Sequence, residues 1–157
     1  MHVLEAGHEP KGRPVALLLH GFPELAWCWR HVLLELAHDG WHVLAPDQRG
    51  YGATSGWDDS NDGDLSKFQL LNLVRDTLGL VFAMDLKQVG VLKGHDFGAI
   101  LAPWCVLTQP DIFKSMALMS APFAGPTAII SAVDSPAKNI CAELAGLPRP
   151  RKYYHQY

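Results

Sequence analysis

The sequence of 157 residues is poor in cysteine, having only Cys28, Cys105 and Cys141. An odd number with no C-x-x-C pair rules out a closed disulfide framework and supplies no zinc or redox motif. Buried free thiols in a reducing compartment are the expectation. Positive charge is also short, since 13 Lys and Arg stand against 16 Asp and Glu for a formal net charge of −3. That balance gives no basic footprint for nucleic acid and no polybasic patch for an anionic membrane. No apolar run reaches the roughly 18 residues of a membrane span. Met1 to Gly7 carries neither the basic nor the apolar region of a secretory signal, so a cytoplasmic location is expected. Internal repeats are absent.

What is present describes a globular domain, with 48% hydrophobic and 18% charged residues. A chain of this size buries about 68–70% of the surface exposed when unfolded, so it needs no metal or disulfide to form a core. Short apolar runs alternate with longer amphipathic stretches, which predicts an α/β fold, a mostly parallel sheet with flanking helices. Strands are predicted at His2–Ala6, Val15–Leu19, His42–Pro46, Gln88–Leu92 and Phe113–Met119. Helices are predicted at Trp29–His38, closed by Gly40, at Leu65–Met84, and from the turn after Gly94 to about Leu107. Gly50 to Asp64 reads as a loop, and beyond Pro122 prolines interrupt weak helical patterns. Trp27, Trp29 and Trp104 read as core before pocket.

One turn carries a chemical signature. Gly94-His95-Asp96-Phe97-Gly98 lies between an apolar run and a helix, the context of a nucleophile elbow. Small residues two before and two after the centre let a strand reverse tightly into a helix. The helix N-terminus then aims N–H groups at charge developing beside the central side chain. With Asp96 at that centre the group is ionised at neutral pH, since an aspartate in water has a pKa of about 3.9. A carboxylate is a modest nucleophile toward carbonyls but opens strained or activated sp³ carbon, so epoxides and alkyl halides fit better than esters. A second loop, His20-Gly21-Phe22-Pro23, closes an earlier strand at the same rim of a parallel sheet. Its backbone offers a further N–H beside that of Phe97, and Phe22–Pro23 is a candidate cis peptide.

These motifs resemble the aspartate-nucleophile branch of the α/β-hydrolase family, most closely the epoxide hydrolases. The resemblance rests on His20-Gly21-Phe22-Pro23-Glu24 with Trp27, Trp29 and Arg30, on Asp47-Gln48-Arg49-Gly50-Tyr51-Gly52, and on Gly94-His95-Asp96-Phe97-Gly98-Ala99. It implies Asp96 as nucleophile, Phe22 and Phe97 as oxyanion donors, and Pro23 and Trp27 in the substrate pocket. It implies a small apolar epoxide as substrate, with no metal or cofactor. Leu147 to Tyr157 resembles the start of the epoxide hydrolase cap, where Tyr154, with Tyr153 as second choice, would donate to the epoxide oxygen. Haloalkane and haloacetate dehalogenases form the alternative, but their halide-holding indole or arginine after the nucleophile is replaced by Phe97, which has no side-chain donor. A non-catalytic fragment acting as a binding module is the third reading.

By the same resemblance, residues 1–122 form a partial hydrolase core and 123–157 lead into a cap. Downstream of Asp96 the carboxylates are Asp111, Asp134 and Glu143 and the histidine is His155, none of them after a later core strand. A truncated enzyme without its acid and base is therefore expected, with an exposed sheet edge open to self-association. Asp47 and Arg49 read as loop anchors rather than catalysts. His31, His38 and His42 read as surface residues or as supports behind the site. Asp58 to Leu65 resembles a calcium loop but has Gln69 where a bidentate glutamate is needed, so a solvated acidic loop is expected. Lys93 at a strand end and Pro103 within a helix are departures from the pattern.

Overall fold

The two most continuous apolar runs, Val15–Leu19 and His42–Pro46, form neighbouring strands at the middle of a sheet. Strands buried on both faces have no need to alternate. The computed structural model describes residues 1–56, 63 and 65–123. Its elements are β1 (Val3–Ala6), β2 (Val15–Leu19), α1 (Arg30–His38), β3 (His42–Pro46), α2 (Leu70–Ala83), β4 (Val91–His95), α3 (Phe97–Thr108) and β5 (Met116–Met119). The sheet order is β1-β3-β2-β4-β5. β1 runs antiparallel to β3, and the other pairings are parallel.

Side chains of β2 leave alternately on the two faces. Val15, Leu17 and Leu19 join Leu73, Val74, Val81, Leu101 and Phe113 under α2 and α3. Ala16 and Leu18 join Trp29, Leu33, Val43 and Ala45 under α1. Each large aliphatic side chain so buried contributes about 1.5–3 kcal/mol. Helices thus cover both faces of the sheet, as the alternating pattern of the sequence predicts.

Several boundaries differ from the sequence expectations. The predicted helix at Leu65–Met84 is a 3₁₀ turn, Leu65–Phe68, followed by α2. Gln69 between them is extended, with φ −57° and ψ 142°, which no helix accommodates. β4 lies three residues later than Gln88–Leu92, and only an isolated bridge from Val89 to Phe113 extends the parallel pairing upstream. The last strand likewise shortens from Phe113–Met119 to β5. Trp29 ends a 3₁₀ turn, Ala26–Trp29, instead of opening α1. His2 precedes β1.

Gly40 does close α1: its N–H reaches the Ala37 carbonyl and that of Trp41 the Leu36 carbonyl, a Schellman pair. Lys93 is accommodated because its ammonium lies 5.6 Å from the Trp29 ring centre. α3 continues through the buried Pro103.

Candidate active site at the end of β4

β4 ends on His95 and α3 begins on Phe97, so Asp96 alone makes the turn. Its backbone sits at φ 52° and ψ −115°, a conformation that costs a non-glycine residue of order 1–3 kcal/mol and persists only where the surroundings enforce it. The enforcement comes from Gly94 and Gly98. A methyl group on Gly94 would overlap the Gly98 carbonyl, and one on Gly98 would overlap the Leu19 carbonyl at the end of β2. Strand and helix therefore approach closely enough to leave Asp96 projecting between them.

The loop after β2 meets that side chain. The Phe22 N–H donates to Asp96 Oδ1 at 2.9 Å. Gly21 permits the approach, because a side chain there would come within 2.6 Å of the same oxygen. Phe22–Pro23 is cis. Phe97 opens α3 immediately after Asp96, among the first helical N–H groups, which lack intrahelical acceptors. Phe22 is 54% exposed and Trp27 63% exposed, with Pro23 and Leu25 exposed beside them. Trp27 is thus not a core residue, unlike Trp29 at 4%. Its outer position is held by Arg30, which stacks over the ring and donates to the Trp27 carbonyl.

Two buried polar residues fix this loop. His20 is fully buried. Its Nε2 accepts from the Gln48 N–H at 3.0 Å, which requires the proton on Nδ1, where it is donated to the Gly21 carbonyl at 2.9 Å. Burial holds the imidazole pKa below its ordinary value, in keeping with a neutral ring. The Gln48 amide returns a bond to the His20 carbonyl. Tyr51 packs edge-on against His20 with ring centres 4.9 Å apart. Burial, reinforced by the negative charge of Asp96, raises its phenol pKa.

Asp47 is the second anchor, 4% exposed. It accepts from the N–H groups of Ala26 at 2.8 Å and Ala53 at 3.2 Å and pairs with His2 Nδ1 at 2.8 Å. Burial pushes its carboxyl up, but those three partners together outweigh burial and hold it below the usual carboxylate range. Arg49 forks onto Asp76 of α2 through two bonds. Both residues anchor loops, as the sequence suggested.

Two contacts at the site are not foreseen from the sequence. His95 Nδ1 lies 3.3 Å from Glu24 Oε2, pairing the turn with the loop after β2. Ser120, just past β5, places its Oγ 3.3 Å from the Asp96 N–H. Asp111 precedes β5 whereas Asp96 follows β4, which places them at opposite ends of a parallel pair. Cys105 is buried but Cys28 only half-buried. Tyr153, Tyr154, His155, Asp134, Glu143 and Cys141 lie outside the described residues, as does most of the acidic segment from Asp58 to Asp64. Among the described residues no cluster of three or more His, Cys, Asp or Glu could hold a metal ion, and no helix is long and apolar enough to cross a membrane.

The alpha/beta hydrolase fold family matches residues 14–147. The chain belongs to that family. Among its relatives, epoxide hydrolase A of Mycobacterium tuberculosis (strain ATCC 25618 / H37Rv) is 41% identical over 122 residues, covering 78% of this chain and 35% of that protein. Epoxide hydrolase 3 of Siraitia grosvenorii is 39% identical over 123 residues, covering 78% and 36%. The crystal structure of an epoxide hydrolase from Vigna radiata superposes with a TM-score of 0.70 at 38% identity, covering 81% of this chain and 39% of that one. The chain thus spans little more than a third of the length of these hydrolases.

Proposed function

We propose that Asp96 is the nucleophile of an epoxide-opening α/β hydrolase. The observation that carries this reading is the Phe22 N–H bond to Asp96 Oδ1 on a strained strand-to-helix turn. It engages one carboxylate oxygen and leaves Oδ2 for attack. In the forward step an Oδ2 lone pair bonds to an oxirane carbon, the C–O bond of the ring breaks, and the ring oxygen takes the electron pair and then a proton. Tyr154 is the proposed proton donor, with residues 123–157 assigned to the start of a cap and 1–122 to a partial hydrolase core. The product is a hydroxyalkyl ester of Asp96.

Hydrolysis requires water, deprotonated by a base, to attack the ester carbonyl carbon. Negative charge then develops on Oδ1, where the Phe22 and Phe97 N–H groups form the oxyanion hole. One such donor contributes about 3 kcal/mol to the transition state. Collapse releases the diol and restores the carboxylate. Pro23, Trp27 and Phe22 supply an apolar wall, which favours a small apolar epoxide. Identity near 40% to proteins named epoxide hydrolases supports this class over dehalogenation.

Activation of water is the step without an agent among the described residues. No described histidine hydrogen-bonds or pairs with Asp96: His20 has both ring nitrogens engaged, His2 pairs with Asp47, His95 pairs with Glu24, His8 precedes β2, and His31, His38 and His42 lie on α1 or open β3. The 157-residue chain is therefore proposed to stop at the ester. Intact-mass spectrometry after incubation with styrene oxide tests both parts. One equivalent of adduct, mapped to Asp96 and absent from Asp96→Asn, is expected. No adduct on the folded chain would refute Asp96 as nucleophile, and diol beyond one equivalent would refute the stalled ester.

A further inference from the structure

Two adjacent parallel strands, β4 and β5, are each followed directly by a non-glycine residue with positive φ: Asp96 at 52° and Ser120 at 63°. They are neighbours across the sheet, since His95 pairs with Met119. For Asp96 the strained backbone has a chemical use, whereas Ser120 has neither the Cβ-free backbone of glycine nor the αL tolerance of asparagine. Its conformation is held by a compact set of hydrogen bonds. The Ser120 hydroxyl donates to the Met119 carbonyl at 2.8 Å. The Asp96 N–H is shared between that same carbonyl at 3.2 Å and Ser120 Oγ at 3.3 Å.

From this geometry we infer that Ser120 is a positioning residue for Asp96, its hydroxyl bridging the end of β5 to the backbone of the reactive turn. The side chain of Asp96 is already gripped at Oδ1 by the Phe22 N–H. The backbone N–H is the other handle, which Ser120 Oγ holds together with the Met119 carbonyl. With both handles held, rotation that would carry Oδ2 off the line of attack is resisted. Serine suits the position because one hydroxyl both donates and accepts, so it ties the Met119 carbonyl and the Asp96 N–H at once. The inference rests on Asp96 being the nucleophile.

The variant Ser120→Gly separates strain from positioning, because glycine adopts this φ freely and removes only the hydroxyl. If the strain alone mattered, it would be neutral or stabilising and leave Asp96 unaffected. The expected result is an unchanged or higher melting temperature with a maximal rate of Asp96 alkylation by styrene oxide about three- to tenfold lower, the worth of one net hydrogen bond. Half-saturating epoxide concentration stays the same. Ser120→Asn, which keeps both a tolerance for this backbone and a side-chain acceptor, restores the rate. In parallel, exchange of the Asp96 amide hydrogen accelerates about three- to tenfold in Ser120→Gly. Wild-type alkylation and amide exchange rates in Ser120→Gly would overturn the positioning role while leaving the nucleophile intact. Failure of Ser120→Asn to restore the rate would also overturn it, by tracing the defect to backbone freedom. No adduct on the wild-type chain would remove both readings.

Discussion

Replacing Asp47 by alanine is the severest test of how the site is held, because that carboxylate never touches Asp96 yet fixes the loop that does. It accepts from the buried Ala26 N–H at 2.8 Å and from the Ala53 N–H at 3.2 Å. A hydrogen bond to a charged acceptor is worth about 1.5–3 kcal/mol, and a buried donor left unpaired forfeits its desolvation as well. The His2 contact adds little, since that imidazole is 44% exposed and exposed pairs contribute about 0–1 kcal/mol. Solvent reaching Ala53 offsets part of the loss there. The expected total is about 3 kcal/mol, a large part of a domain stability of ~5–15 kcal/mol. It should appear in urea unfolding followed by tryptophan fluorescence, and as a melting temperature roughly 10 °C lower.

The pH arm sharpens the test. The folded pKa of Asp47 is depressed, so its contribution is fully present above the unfolded value of about 3.9 and is lost as pH falls through the lower folded value. The wild-type advantage over Asp47→Ala should therefore persist at pH 5–7 and shrink below about pH 4. A destabilisation under about 1 kcal/mol at pH 7, the range of an exposed ion pair, would refute the reasoning. So would a loss independent of pH down to the folded pKa.

Two further predictions follow from buried groups. His20 has its pKa lowered by burial, so the folded state resists its protonation and loses stability relative to the unfolded chain as pH drops below about 6.5. Nitrogen-detected NMR should find the Nδ1–H tautomer, and a ring that titrates with an unperturbed midpoint would contradict the assignment. The Cys28 and Cys105 thiols are pushed up to about 12, for Cys105 by burial and for Cys28 by burial and then the charge of Glu24. Neither should react with iodoacetamide at pH 8 until the protein is unfolded. Rapid labelling of Cys105 in the native state, read by peptide mass mapping, would be inconsistent with its packing.

Much of this architecture is legible in the sequence for physical reasons. Val15–Leu19 and His42–Pro46 announce themselves because strands covered on both faces must be apolar throughout. The turn at Asp96 is legible because only glycine fits where Gly94 and Gly98 meet other backbone. Residues 88–92 mislead, since the apolar run ends before the strand does. Lys93 and Gly94 belong to β4, one with its amine over Trp29 and the other packed against α3. The start of α2 misleads in the opposite direction, because an apolar repeat from Leu65 continues across a residue with extended backbone. Ser120 leaves no trace in the sequence: its φ belongs to glycine and asparagine by propensity and is imposed here by neighbours. The exposed Trp27 is hidden for a similar reason, since a large aromatic reads as core until its surroundings are known.

The exchange between His20 and Gln48 has a consequence for anyone redesigning this chain. Each residue pairs one buried polar group of the other, so replacing either side chain strands a buried donor or acceptor on its partner. Sampling the loop after β2 while holding the segment after β3 constant is therefore expected to lower the folded fraction of a library. The two segments behave as one heritable unit, best exchanged together as a cassette, with diversity confined to the outward-facing side chains of Phe22, Pro23, Leu25 and Trp27.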